Sequence, residues 1–199
     1  MASVDGAAGV ASFFYPQGIA LDGKGTVYVG QQNRARVVSG GQVSTLAGGP
    51  VDGFADGPVG TAKFEDVKGV AFHSSGNLYL ADGYNRRIRM IAGNQVSTFA
   101  GNGQQGFADG PAAAAKFNYP YDVAVDAAGK VYVADPNNHR VRMIASGMVT
   151  TLAGDGVPGF ADGPIASARF RSPEAVAVDS QGKIYVADGN DHRIRVIAP

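Results

Sequence analysis

Four times along the chain, short runs of apolar residues alternating with polar ones are cut by glycine turns. The runs YPQGIALD (15–22), VKGVAFH (67–73), YPYDVAVD (119–126) and SPEAVAVD (172–179) each lead through a Gly-containing turn into VYVG (27–30), LYLA (78–81), VYVA (131–134) or IYVA (184–187). β-Branched and aromatic residues at period two, joined by turns this tight, predict β-hairpins. A polar turn such as DPNNHR (135–140) follows, then RVVSG, RIRMIAG, VRMIASG or RIRVIAP, and lastly VSTLAG, VSTFAG or VTTLAG. Each unit is thus four strands. Unit starts at Phe13, Phe64, Phe117 and Phe170 give a period of 51 to 53 residues, and a period of that size marks a repeat architecture.

Between units lies the hexapeptide GFADGP, at 53–58, 106–111 and 159–164. Gly53, Gly106 and Gly159 suit positive φ. Asp56, Asp109 and Asp162 are placed to cap the short turn that follows, with Pro58, Pro111 and Pro164 at its first helical position. One carboxylate per copy is too few for a calcium loop. Asp82, Asp135 and Asp188 end the second strand, where a carboxylate can accept amides of the next turn. His139 and His192 share their repeat position with Arg86 and Asn33, as a structural turn residue would, and the histidines form no ligand set.

Units of the form YPYDVAVDAAGKVYVADPNNHRVRMI (119–144) closely resemble NHL repeats, and the resemblance recurs four times over almost the whole chain. It implies an all-β propeller of four-stranded blades, first strand at the central channel and fourth at the rim. The blades would span about 13–63, 64–116, 117–169 and 170–199 of one domain, 1–199. The first unit departs from the pattern, because GQQNRAR (30–36) lacks the Asp and two turn residues. Its turn should be shorter.

Composition narrows the function. Lys plus Arg and Asp plus Glu each number 17, so no net field draws in nucleic acid or an anionic membrane. No cysteine is present, which excludes disulfides, thiolate zinc sites and cysteine nucleophiles. The opening Met1–Asp5 lacks the pattern of a signal peptide, and compartment stays open.

Positions where the repeats agree are scaffold, and positions where they diverge on an exposed face are free to form a site. Just before the inner strand stand Gln17, Lys68, Tyr121 and Glu174, followed by Gly18, Gly69, Asp122 and Ala175. The turn after the second strand opens on the same face and also varies, with Gln32, Tyr84, Asn137 and Asn190. This rim predicts a non-catalytic binding face for a protein, glycan or small ligand, without cofactor or metal. The alternative is a metal-dependent enzyme similar to propeller lactonases or the amidating lyase, drawing on Asp122, Glu174 and Gln17. RNA binding would need a basic rim, and Lys68 is the one cation at that mouth.

Propellers of this resemblance usually close with six blades, and the chain carries four units less one outer strand. Two uncovered blade faces would cost on the order of 10 kcal/mol. The sequence therefore predicts completion by a second chain as an eight-bladed ring, self-closure as a four-bladed ring, or membership of a longer six-bladed propeller or larger assembly.

Overall fold

The structure, a computed structural model, describes residues 3–198. The four units are four antiparallel sheets arranged as propeller blades. From the channel outward the first blade runs Pro16–Leu21, Val27–Gln31, Arg34–Ser39 and Gln42–Gly48. The second runs Val67–Phe72, Leu78–Asp82, Arg87–Ala92 and Gln95–Ala100. The third runs Asp122–Val125, Val131–Asp135, Arg140–Ala145 and Met148–Ala153. The fourth has Pro173–Val178, Ile184–Asp188 and Arg193–Ile197.

One feature departs from four strands per blade. The connectors contribute two-residue strands, Gly6–Ala7, Gly57–Pro58 and Gly110–Pro111, which pair with the outer strands of the blades they enter. In the fourth blade no outer strand is described, and Gly163–Pro164 forms no strand.

The core lies between blades. Alternation sends one set of side chains toward the preceding blade and the other toward the next. Ala71, Tyr79, Ala81 and Ile88 of the second blade thus pack on Val123, Val131, Val133 and Ile144 of the third, and the other two junctions repeat this pattern. The end faces are bare. Ile19 is 68% exposed, whereas its counterparts Val70, Val123 and Val176 are 5%, 3% and 7% exposed. Ile194 is 71% exposed where Ile88 and Val141 are 0%. The first and fourth blades therefore do not cover each other, which removes self-closure into a four-bladed ring and leaves an open arc.

GFADGP does different work from the capping its sequence suggests. The glycines do take positive φ, 144° at Gly53. Asp56, however, accepts from Arg89 at 2.6 Å and from the Thr98 hydroxyl at 2.9 Å, tying a buried guanidinium to the outer strand instead of capping a turn. Asp109 with Arg142 and Thr151 repeats the arrangement. The hexapeptide's Phe54 lies over the guanidiniums of Arg87 and Arg89, 3.8 and 4.8 Å from ring centre to carbon. Asp82 takes, in place of the turn's backbone amides, the Glu65 amide of the connector at 2.8 Å, the side chain of Asn85 within the turn, and Arg89 at 2.7 Å. Gln31 fills the place of that aspartate in the first blade and accepts from buried Arg36 at 3.4 Å, next to the shortened turn. His139, His192 and Arg86 are left-handed turn residues at φ of 53 to 55°, the structural role predicted for them.

Candidate functional site

The inner strands converge so closely that the mouth positions of different blades touch. A Cβ on Gly69 would stand 2.6 Å from the Asp122 Cα, which is why glycine occupies that position. Gln17, Lys68, Tyr121, Asp122 and Glu174 accordingly line one hub cavity of about 290 Å³.

Beside it, a second cavity of about 310 Å³ opens between the first three blades, and Gln17, Gln32, Lys68 and Tyr84 all border it. Four of the nine predicted residues therefore meet here. Asn137 and Asn190 sit exposed in 3₁₀ turns of the third and fourth blades and border neither cavity.

The centre of the second cavity is a residue that the sequence reading missed. Asp66 is 8% exposed and accepts from Gln17 at 2.9 Å and from the Tyr119 hydroxyl, with the Lys68 ammonium at 3.2 Å. Lys68 also donates to Gln17 at 2.7 Å and lies 5.5 and 4.9 Å from the ring centres of Tyr119 and Tyr121. Tyr84 leans on Tyr119 with ring centres 5.0 Å apart. Four residues from three blades thus form one network. Burial, then the hydrogen bond and charge of Asp66, push the Tyr119 phenol well above the usual range, so it stays a donor.

Tyr15, Asp66 and Tyr119 occupy equivalent positions two residues before Gln17, Lys68 and Tyr121, and all three are left-handed, at φ of 48, 65 and 65°. Non-glycine residues adopt that backbone at a cost of order 1–3 kcal/mol, and such strain clusters at binding sites. Part of the signal was in the sequence: with Ser172 in the fourth unit, this position changes between tyrosine, aspartate and serine, and it lies two residues before the divergent mouth position. Extending the internal comparison two residues upstream finds them.

In the hub cavity Asp122 accepts the Val176 amide at 3.0 Å, and burial pushes its carboxyl up to about 6 against the pull of two backbone amides. Glu174 accepts from the Ser172 hydroxyl at 3.4 Å. Among the described residues no three His, Asp or Glu side chains converge as a metal would require. No helix among them is long and apolar enough to cross a membrane.

Four blades around a channel, with a divergent polar mouth, define a β-propeller with its variable face at the hub. Residues 117–143 and 170–197, in the third and fourth blades, match the NHL repeat. NHL repeat-containing protein 2 of Gallus gallus is 30% identical over 134 residues, 60% of this chain, and the chain spans 18% of that protein's length. A structural genomics protein of unknown function from Bacteroides thetaiotaomicron superposes on 99% of this chain and 72% of its own, at 21% identity and a TM-score of 0.62. A gluconolactonase from Xanthomonas campestris superposes on 94% of this chain and 77% of its own, at 14% identity and a TM-score of 0.57. At such identities the likeness is one of fold.

Proposed function

We propose that this chain is a non-catalytic NHL propeller module that holds a partner at its channel mouth and associates with its own kind through its end faces. One observation carries the first half: the cavity around Asp66 is built from the positions at which the repeats diverge, while the rest of each unit is scaffold. Its groups are engaged with one another. Gln17 and Tyr119 spend hydrogen bonds on Asp66, and Lys68 pairs with it at 3.2 Å while donating to Gln17, an arrangement that favours shaped recognition over proton transfer. The exposed ring of Tyr84 and the rim amides suit a glycan, a small polar molecule or a peptide segment.

Glycan and peptide arrays probed with the protein and with Tyr84→Ala test this reading. Ligands bound by the first and lost by the second are expected, and ligands retained in full by the variant would contradict it. The enzyme alternative has the fold likeness to a gluconolactonase on its side. Turnover of a sugar lactone that depends on a divalent ion, and is abolished by Asp122→Asn or Glu174→Gln, would establish that alternative in place of the binding module.

The second half rests on the bare end faces. Ile19 and Leu21 repeat the side chains that Val70 and Phe72 bury at an internal junction, and Tyr185 and Ile194 repeat those of Tyr79 and Ile88. The first blade of a second copy therefore fits the fourth blade of this one as consecutive blades fit within the chain. Two such junctions make an eight-bladed ring. Further blades of a longer six-bladed propeller would meet the same faces by the same contacts.

A further inference from the structure

We propose that Asn102 is a self-modification site: its side chain closes onto the Gly103 amide as a succinimide and opens with water to aspartate, giving the connector after the second blade the carboxylate that Asp155 supplies after the third. Asn102 is the sole asparagine of the chain that precedes a glycine. With no Cβ to crowd it, a glycine nitrogen is the main-chain nitrogen that most readily reaches a neighbouring side-chain carbonyl.

The connector leaves the reacting groups free and activates both. The Gly103 amide donates no hydrogen bond among the described residues, and Asn102 and Gly103 are partly exposed to water. The attacking species is that amide without its proton, and its charge is shared with the Asn102 carbonyl oxygen. Arg87 donates to this oxygen at 3.0 Å, so the guanidinium stabilises the anion. On the side chain, the Gln104 amide donates to Asn102 Oδ1 at 2.8 Å. That bond draws electrons from Cγ and supports the oxyanion that forms on attack. Glycine is also the residue this backbone demands, because φ is 84° at Gly103 and a Cβ there would collide with the Arg87 guanidinium.

In the reaction the Gly103 nitrogen bonds to Cγ, the Cγ–Nδ2 bond breaks, and ammonia leaves with the proton that the glycine amide gives up. Water then opens the ring. Attack at Cγ yields aspartate, and attack at the main-chain carbonyl carbon yields isoaspartate.

The third blade shows how the connector accommodates the aspartate. Asp155, 53 residues on, accepts the Val157 amide at 2.8 Å just as Asn102 accepts that of Gln104. Its other oxygen meets Arg169 at 2.8 Å. Lys116 is the equivalent of Arg169 and forms no ion pair among the described residues, so an aspartate at 102 gains it as a partner. Isoaspartate would lengthen the main chain between the Asn102 amide, which donates to Ala115 at 3.0 Å, and the next residue, and so disturb the turn. The fold therefore favours opening to aspartate. This connector lies at the rim, so the proposal stands or falls independently of the ligand at the channel mouth.

The test holds the folded protein in mildly alkaline buffer beside the free peptide AGNGQQG, the sequence of residues 100–106, and follows both by isoelectric focusing and peptide mass spectrometry. Conversion at Asn102 with the gain of one negative charge is expected, at least as fast in the protein as in the peptide and chiefly to aspartate. Arg87→Met is expected to slow it severalfold in the folded protein. Asn102→Asp, which carries the product without the reaction, is expected to fold like the parent and to lose more stability on Lys116→Ala than the parent does, because the variant alone has that pair. A folded protein that keeps Asn102 intact while the peptide converts, conversion chiefly to isoaspartate, or an undiminished rate in Arg87→Met overturns the proposal.

Discussion

Arg89 meets Asp82 at 2.7 Å with both side chains wholly buried, and the other arm of the same guanidinium reaches Asp56 at 2.6 Å. It also donates to the main-chain carbonyls of Lys63 and Ala55. One side chain thus fastens the connector from the previous blade to the strands of its own. Arg142 does the same with Asp135 and Asp109, and Arg195 with Asp188 and Asp162.

Removing that guanidinium strands a buried carboxylate. Arg89→Met is expected to lower stability by about 3–5 kcal/mol in urea unfolding near neutral pH, the usual penalty for breaking a buried pair from one side. Asp56→Asn acts on the partner whose side chain is 41% exposed and should lose no more than about 1 kcal/mol. Equal losses from the two variants would show that the inner pair is not what holds the connector.

Asp122 makes stability depend on pH in the direction opposite to an ion-paired aspartate. Its folded value of about 6 lies above the ordinary 3.8. Between those values the folded protein keeps a proton that the unfolded chain releases. The contribution is therefore full below about pH 4 and is lost as pH rises through about 6. Asn keeps the acceptor for the Val176 amide without the charge. Asp122→Asn should exceed the parent in stability by about 1–3 kcal/mol near pH 7.5 and match it near pH 3.5. A stability difference that does not change with pH would contradict this.

The repeat, its hairpins and its truncated fourth unit were legible because alternation and turn glycines are local signals. The role of RIRM (87–90) was not. Arginine at every second position reads as a solvent-facing strand, and Arg89 is buried only because the GFADGP connector, more than thirty residues earlier, folds over it. The mouth was legible in part for the same reason. Gln17, Lys68 and Tyr84 stood out as divergent loop positions, yet Asp66 and Tyr119, 53 residues apart, become partners only when consecutive blades pack. Asn137 and Asn190 share the repeat position of Tyr84 and lie away from both cavities, since variation at a position marks freedom from the scaffold and not convergence on a site.

Light scattering over a range of protein concentrations measures most directly whether the bare end faces take up a second copy. The predicted mass approaches twice the 20.4 kDa of one chain as concentration rises. Ile194→Glu, a change at a position already 71% exposed, should return it to that of a single chain. A mass of 20.4 kDa for the unaltered chain at every concentration would contradict ring completion by self-association.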